Sequence, residues 1–494
     1  AKIIALLVQK TLKRLGNSMD DSIIPFNEID FILPSYRYNI QFSFTTKKGL
    51  PFIREYILRI VHLGAMRPEQ LANYFDLSER EAKEALNDLV KREELCYNDY
   101  NQVELTDKSR GYFESLGGAL SVSELRSTGS TLGFELSSLS CVSSQKNRLP
   151  REWNYGIKIE VVGNKIATRD KLISKAFQRH FQELIEDGYM DHVKGKDGNK
   201  PKIYKVESLN EVGMDPLRLK LKFCVDLEGN AIDVEDFDVL RDSSEALESI
   251  SCAINKMVKR NNYPEVLNAI ELLNDQYSNR LFSRDRLKIE EFIAQKTGNL
   301  SESGKHVPFI GALYSERNWK IFSELFEKEK KNLISSHQDG IDTLHWLIPS
   351  ASFWGKSEQV KICFDEILSG SKTKGKKAKN LYEVKVMVPL SSTMETKSGR
   401  WEADVWKREL AVVKNELFGY IEGYLDGVAE VVLLENRLVA ITYYLNMPET
   451  YRVPIPIGFI SIDTGVINSV SQSLNNYLSE FHDQNHRKDL GVLK

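Results

Sequence analysis

The sequence predicts a multidomain protein that combines α+β and α/β architecture. Three observations lead to this prediction. The chain has 494 residues, which corresponds to roughly three domains of average size. Apolar residues recur at helical spacing over much of the first 300 residues, whereas apolar strands alternate with helices from about residue 305. The composition, 41% hydrophobic and 28% charged, is typical of a globular protein and excludes a fibrous or wholly disordered chain.

Charge and cysteine content narrow the class further. The chain has 67 Lys and Arg against 70 Asp and Glu, a net charge of -3, which excludes a uniformly basic protein that wraps nucleic acid. The five cysteines are far apart and form no C-x-x-C pair, so we expect neither a disulfide framework nor a zinc knuckle, and a cytoplasmic location. The apolar run Ile3–Val8 is too short to span a membrane and predicts a buried helix face in an N-terminal helix and strand segment, residues 1–48.

Residues 49–118 contain the most regular helical pattern. Pro51–Gly64 carries apolar residues at helical spacing, and a second, shorter helix follows. A third helix begins at Ser78, where Glu81 completes a capping box. Two short strands then flank the turn Asn98–Gln102. Three helices followed by a hairpin resemble a winged helix, and the resemblance covers the whole segment.

The third helix of this segment is acidic. Residues 78–94 contain four Lys or Arg against six Asp or Glu, a net charge of −2. In a winged helix that reads DNA this helix approaches phosphates, which repel carboxylates. DNA binding, protein binding and a scaffold role therefore remain alternatives for this segment.

Residues 119–150 are rich in Ser, Gly and Thr and predict a linker, with one short strand as an alternative within it. Residues 151–210 predict a second winged-helix-like module, because a long helix ends at Gly188 and a hairpin is expected around an Asp-Gly turn. Residues 169–206 have nine Lys or Arg against six Asp or Glu, a net charge of +3. The basic patch lies mainly on this module.

Seven of these cations are predicted to bind nucleic acid. Three recur at i, i+4 and i+8 on one helix face and four lie in the predicted wing, positions from which cations can reach phosphates. They are Lys171, Lys175, Arg179, Lys194, Lys196, Lys200 and Lys202. The alternative is a solvated basic face of a structural module.

Residues 211–304 predict a mainly helical region, in which a hairpin-like stretch at residues 218–233 precedes the helices and the first helical part is acidic. Residues 231–249 have one Arg against seven Asp or Glu, a net charge of −6. The glycine and the twelfth-position Glu of a calcium-binding loop are missing, so no calcium site is predicted. We expect a solvated helix start or a surface for a basic protein partner.

Residues 305–494 predict an α/β domain with a mixed sheet. A strand ends in the polar loop Leu344–Ser350, and a helix and the strand Val384–Pro389 follow. A late hairpin spans Val431–Tyr444 and precedes a final strand and a closing helix. This order resembles the phospholipase D-like family over residues 331–482.

The family acts through an H-x-K-x-x-x-x-D motif, in which His is the nucleophile and Lys binds phosphate. The corresponding stretch here, Val428–Asn436, contains neither His nor Lys. An H-x-K triplet occurs at His486–Lys488, beyond the last predicted helix. The resemblance therefore implies a pseudoenzyme, and the chain as a whole is expected not to be an enzyme.

A competing prediction is a metal-dependent nuclease. Glu383 and Lys385 form an E-x-K triplet on a strand. With an acidic residue before them, Asp365 or Asp342, they resemble the site of PD-(D/E)xK nucleases, where carboxylates hold a metal and Lys steadies the attacking water. The preceding loop, residues 370–380, is strongly basic and is predicted to contact phosphates. Its lysines are Lys372, Lys374, Lys376, Lys377 and Lys379.

The prediction is a non-enzymatic DNA-binding or adaptor subunit of a multiprotein system, with bacterial antiphage defence or mobile-element machinery suggested by analogy. A metal-dependent nuclease and a winged-helix transcription regulator are the alternatives. No cofactor and no structural metal are predicted. The expected partners are the DNA phosphate backbone and a protein that binds the acidic surfaces, with a homodimer as a further alternative and no membrane.

Overall fold

The computed structural model of the chain describes residues 23–49, 52–113, 121–146, 149, 154–161, 163–194, 200–226, 228–234, 240, 243–282, 287–288, 305–335, 342–372, 380–479 and 489–492. The run Ile3–Val8 lies outside them. The described residues form a mixed α and β, multidomain architecture, which confirms the predicted class. No helix within these ranges is both long enough and apolar enough to cross a bilayer.

A four-stranded sheet begins the described part of the chain. Its strands are β1 (Ile24–Leu33), β7 (Ile157–Lys158), β9 (Leu217–Val225) and β10 (Ala231–Val234), and their spatial order is β10–β9–β1–β7. β9 runs antiparallel to β1, and β7 runs parallel to it. The apolar residues of β1 and β9 enter the largest hydrophobic core of the protein.

A second four-stranded sheet contains the longest pairing in the fold. Its strands are β2 (Ser35–Gly49), β5 (Ser121–Glu135), β6 (Cys141–Ser144) and β8 (Lys202–Met214), in the order β6–β5–β2–β8. β2 and β5 pair antiparallel along their whole length, from Ser35 opposite Glu135 to Gly49 opposite Ser121. Fifteen residues of strand form a ribbon about 50 Å long.

The ribbon corrects the predicted linker at residues 119–150. Leu132 and Phe134 alternate with small residues, so β5 has one apolar face, which is what a half-buried strand needs. Gly133 lies where the side chain of Ser143 occupies the space of a Cβ. The glycine therefore reflects the close approach of a neighbouring strand rather than a loop.

The segment between β2 and β5 folds as the three helices and hairpin that the sequence predicts. Its elements are α1 (Phe52–Leu63), α2 (Pro68–Tyr74), α3 (Glu79–Lys91), β3 (Leu95–Tyr97), β4 (Val103–Leu105) and α4 (Asp107–Arg110). The capping box is confirmed, since Ser78 N–H donates to Glu81 Oε2 at 3.0 Å and Glu81 N–H to Ser78 Oγ at 3.3 Å. The core of this segment contains only its own residues. We call residues 52–113 the head.

The predicted second winged helix is only partly present. The helix is found as α5 (Gly163–Ala167), α6 (Arg169–Arg179) and α7 (Phe181–Glu186). The prediction of a wing is wrong. Asp191–Val193 is a single 3-10 turn, and β8 pairs with β2 and not with this segment. An isolated two-stranded hairpin is marginal in water, whereas the edge of β2 offers β8 a long row of backbone hydrogen bonds.

The region predicted as mainly helical has its helices in the later part, and the hairpin-like stretch predicted before them is confirmed, since β9 and β10 pair antiparallel. Its helices are α8 (Ser244–Met257), α9 (Tyr263–Leu272) and α10 (Gln276–Asn279). The earlier part contributes the end of β8 together with β9 and β10. Basic and apolar residues alternate in β9, which buries Leu219, Leu221 and Phe223 on one face.

The largest sheet lies in the C-terminal part, and it is mixed as predicted. Its strands are β11 (His306–Ile310), β12 (Asp342–Leu347), β13 (Tyr382–Leu390), β14 (Leu417–Ile421), β15 (Ala429–Leu434), β16 (Leu438–Leu445), β17 (Ile455–Ser461) and β18 (Asp489–Val492). The order is β11–β17–β16–β15–β12–β13–β14–β18, and β12, β13 and β14 are parallel.

Helices cover both faces of this sheet. They are α11 (Glu316–Ser335), α12 (Gln359–Gly370), α13 (Lys397–Glu409) and α14 (Thr464–Ser479). α11, α12 and α13 share one hydrophobic core with the sheet, whereas α14 packs with α8 and α9 in the other. The strands are therefore buried on both faces, which explains their nearly continuous apolar sequences.

Candidate nucleic-acid interface

The outer face of α6 carries the predicted row of cations. The inner face buries Ile173 and Phe177, and the ring of Phe177 lies 5.1 Å from that of Phe42 in β2. Three cations lie on the opposite face of α6, where they are exposed and form no ion pair within the described part of the chain. They are Lys171, Lys175 and Arg179. The structure brings these three together on one rigid helix, about 6 Å apart along its axis.

The start of α6 is held against the sheet by polar contacts. The guanidinium of Arg169 lies 4.7 Å from the centre of the Tyr36 ring and pairs with Glu211. The hydroxyl of Tyr38 donates to Asp170 Oδ1 at 2.7 Å. Burial, together with the Asp170 carboxylate, raises the pKa of Tyr38. The first turn of the helix is therefore fixed, and the cations beyond it are presented to solvent.

The other predicted cations of this region do not join the row. Lys200 pairs with Glu186, Nζ to Oε1 2.8 Å, and this hydrogen bond raises the pKa of Lys200. Lys202 lies beside Thr45 on the sheet face away from α6, because Phe42 and Phe44 point towards the helix. Lys194 is exposed after the 3-10 turn. Lys196 lies outside the described residues.

The lysine-rich loop of the C-terminal domain is described only at its edges. Lys372 forms an isolated bridge with Asn380, which closes the base of the loop. Four of its lysines lie outside the described residues: Lys374, Lys376, Lys377 and Lys379. Phosphate binding by this loop stays a prediction.

The third helix of the head is poorly suited to phosphates. Arg92 pairs with Asp88, Nε to Oδ2 2.7 Å, and Arg80 pairs with Glu84, Nε to Oε1 3.5 Å. Arg80 in α3 and Arg92 directly after it are therefore already engaged with carboxylates of this helix. The carboxylate of Glu94 is buried and forms a bidentate ion pair with Arg54. Glu94 therefore stabilises the fold and is not part of the exposed surface.

The residues of the nuclease alternative do not form a metal site. Asp342 in β12 lies beside β13, but its carboxylate accepts a hydrogen bond from Arg437 Nε at 2.9 Å. Lys385 Nζ lies 3.7 Å from Glu383 Oε2 and 5.5 Å from the centre of the Phe418 ring. Asp365 is on α12, which packs on the other face of the sheet. Within the described part of the chain, no group of three or more His, Cys, Asp or Glu is placed to hold a metal ion.

The stretch that corresponds to the phospholipase D motif contains a buried carboxyl group that the sequence analysis missed. Glu430 in β15 accepts a hydrogen bond from Trp346 Nε1 at 2.8 Å and another from the Tyr444 hydroxyl at 2.9 Å. Burial raises its pKa to about 7. A single acid within the apolar run of β15 is the only indication that the sequence offers.

A second buried carboxyl group lies at the edge where the parallel strands end. Glu422 follows β14, and burial raises its pKa to about 7. The next residues adopt left-handed backbone, with φ of 50° at Leu425 and 51° at Asp426. Asn268 Nδ2 donates to Asp426 Oδ2 at 2.7 Å and holds this turn. Such strained turns at carboxyl ends of strands are frequent near binding sites. The charge of Lys259 lowers the pKa of Glu422, but the effect of burial is larger.

No family model matches the chain, and no curated protein matches it. Solved structures give distant similarities. The archaeal chromatin protein TrmBL2, described as binding DNA in a novel mode, is 9% identical over 87% of this chain and 93% of its own, with a TM-score of 0.19. Phosphatidylserine synthase of Haemophilus influenzae Rd KW20 is 11% identical over 52% of this chain and 61% of its own, with a TM-score of 0.20.

Polyphosphate kinase of Porphyromonas gingivalis is 10% identical over 54% of this chain and 39% of its own, with a TM-score of 0.20. Identities and TM-scores this low assign no family, ligand or activity to the chain.

Proposed function

We propose that the protein binds duplex DNA through its phosphate backbone and that the outer face of α6 makes the contact. The observation that carries this proposal is the row of Lys171, Lys175 and Arg179, exposed and without ion pairs among the described residues. Cations that are free to meet phosphates release counterions from DNA, which is the main source of sequence-independent affinity.

The contrast with α3 supports this choice of surface. Of the four cations at residues 78–94, Arg80 and Arg92 already lie on carboxylates. Lys83 and Lys91 stand among six acidic residues, so phosphates would be repelled there or would have to break ion pairs. In α6 the neighbouring acid, Asp170, is turned towards Tyr38 in the sheet. Lys and Arg contacts to phosphates position a protein without reading bases, so we expect little sequence preference.

We further propose a non-enzymatic adaptor role, in which α6 holds DNA while the acidic surface of α3 meets a protein partner. A place in bacterial antiphage defence or mobile-element machinery is the setting we propose for it, and this rests on analogy. The arrangement of Glu383, Lys385 and Asp365 on two faces of a sheet gives the nuclease alternative no support.

The experiment is a salt series of fluorescence anisotropy with a random-sequence duplex. The variant combines Lys171→Glu, Lys175→Glu and Arg179→Glu. We expect its affinity to fall and the slope of log K against log salt to decrease by up to about 3, since each phosphate contact contributes roughly 0.9.

The matched control combines Arg317→Glu, Lys320→Glu and Lys328→Glu on the exposed side of α11, which changes the net charge by the same amount. This control should keep the wild-type slope. Equal loss in both variants would mean that only total charge matters. Unchanged binding in the α6 variant would place the DNA site elsewhere and overturn the proposal.

A further inference from the structure

The outer face of α1 is apolar although the helix already has a buried face. Ile57, Leu58, Ile60 and Val61 pack into the core of the head. On the other side Phe52 is 71% exposed, Tyr56 44% and Leu63 85%. An amphipathic helix that packs on one side only normally presents polar residues to water. α1 therefore has a second face that is suited to a contact.

The exposed residues form a straight line along the helix. Phe52, Tyr56, Arg59 and Leu63 stand at i, i+4, i+7 and i+11, a spacing that keeps them on one side of an α-helix. The rings of Phe52 and Tyr56 lie 4.4 Å apart and form a continuous apolar surface. We call these four residues the α1 stripe.

The charge within the α1 stripe is balanced locally. Arg59 donates to Glu55 Oε1 from Nε at 3.1 Å and from Nη2 at 2.8 Å. The surface around the stripe therefore offers no net charge to a strongly acidic or basic partner. A partner that is itself apolar with one balanced ion pair matches it best.

We propose that a second copy of this chain covers the α1 stripe and that the two α1 helices pack antiparallel about a twofold axis through the helix centre. In this orientation Phe52 lies opposite the partner's Leu63, and Tyr56 lies opposite the partner's Arg59. Apolar groups thus meet at both ends, and a guanidinium meets an aromatic ring in the middle.

A parallel pairing fits the stripe less well. It would bring Arg59 of each copy opposite the partner's Arg59, and like charges facing each other are destabilising. Self-complementarity in one orientation only is what a twofold contact requires. The stripe is also accessible, because the head has a core of its own and is carried at the end of the β2–β5 ribbon.

The size of the stripe predicts a weak dimer. Four exposed side chains offer on the order of 400 Å² per copy, about half of the ~800 Å² per partner of a stable interface. We therefore expect a dissociation constant in the micromolar range or weaker. The inference does not depend on DNA binding, and its tests contain no DNA.

The first test is sedimentation velocity of the whole protein over a series of concentrations. The wild type should shift from monomer to dimer as concentration rises. Leu63→Glu places a carboxylate opposite the partner's Phe52 and should weaken association at least about tenfold, the effect of roughly 1.4 kcal/mol. Leu63 is exposed, so this variant should keep its fold.

The control is Trp401→Glu on α13, where a residue 65% exposed lies away from the α1 stripe. It should associate like the wild type. A protein that stays monomeric at every concentration, or a dimer that Leu63→Glu leaves unchanged, would overturn the inference.

The second test is cross-linking, which reports the orientation of the helices. Phe52→Cys and Leu63→Cys are made separately, each with Cys252→Ser because Cys252 is an exposed native cysteine. A disulfide needs Cβ atoms about 4 Å apart, so antiparallel helices should cross-link only when the two variants are mixed. Cross-linking of either variant with itself would contradict the antiparallel arrangement.

Discussion

Glu430 is an acid placed where almost every neighbour is apolar. Its carboxylate accepts hydrogen bonds from Trp346 and Tyr444, yet burial raises its pKa to about 7 from an ordinary value of 4.5. The folded protein therefore binds this proton more tightly than the unfolded chain does. The stability that it contributes is complete below pH 4.5 and is lost as the pH rises through 7.

Glu430→Gln should remove that loss. Relative to the wild type, the variant should gain about 3 kcal/mol in the free energy of unfolding between pH 4 and pH 8, as two to three pKa units correspond to that amount. Urea unfolding at both pH values measures the change. Glu449→Gln, at an exposed position, is the control and should show no such difference. A gain that is equal at both pH values would show that Glu430 does not titrate in this range.

His306 has the opposite dependence on pH. Its buried ring stacks on Tyr277 at 3.6 Å and on Phe459 at 4.5 Å. Burial lowers its pKa to about 4 from 6.5, so the stability that it contributes is present above pH 6.5 and is lost as the pH falls through 4. His306→Phe keeps the stack and should give a flatter stability profile between pH 4 and 6.5. An unchanged profile in thermal unfolding across this range would contradict the assignment.

The sequence could predict the strand around Glu430 but not the burial of its side chain. A short apolar run next to a turn is local information, and it predicts β15. Whether the acid meets water depends on Trp346 and Tyr444, which come from two other strands. The pKa values of Glu430 and Glu422 follow from such distant neighbours, so no local pattern indicates them.

At the scale of elements, helices were predicted better than strand partners. The spacing of Lys171, Lys175 and Arg179 correctly placed them on one side of α6, because helical periodicity is a property of adjacent residues. The prediction of a wing was wrong, because β8 pairs with β2, which comes much earlier in the chain, and not with the segment just before β8. The sequence therefore predicted the arrangement of the candidate residues on the helix α6. It did not predict that of the residues near β8, which depends on strand pairing.

The start of α3 depends on one side chain. Ser78 accepts a hydrogen bond from Glu81 N–H, and its loss in Ser78→Ala should cost about 1 kcal/mol. Because the head has a separate core, the cost should show as faster hydrogen exchange in α3. The amides of α6 in the same variant serve as the control and should exchange as before. Faster exchange in both helices would mean that the head and the rest unfold together.

At the scale of the whole molecule, the head is an insertion between two paired strands. Gly49 lies opposite Ser121, so an Asn-Gly turn can join β2 to β5 in place of residues 50–120. This shortened protein should fold, keep its DNA affinity and remain monomeric at all concentrations. Anisotropy and sedimentation measure both. Loss of DNA binding in a folded shortened protein would move the DNA site from α6 to the head.

The class of the molecule was predictable, since strands that alternate with helices gave a mixed sheet in the C-terminal part. The near-neutral total charge was less informative, because the acidic segments 78–94 and 231–249 and the basic segments 169–206 and 370–380 cancel in the sum. For the Ser-rich stretch at residues 121–135 the sequence indicated at most one short strand, whereas the structure has a strand of 15 residues paired with β2.

That strand has a mechanical consequence. β2 packs against α6 and is also one of the two strands that connect to the head. A single flexible chain would absorb any tilt of the head, whereas β2 is hydrogen-bonded to β5 along its whole length and to β8 from Tyr36 to Thr45, so a tilt of the head is passed into a twisted sheet. A force that acts on the head should therefore change the orientation of α6.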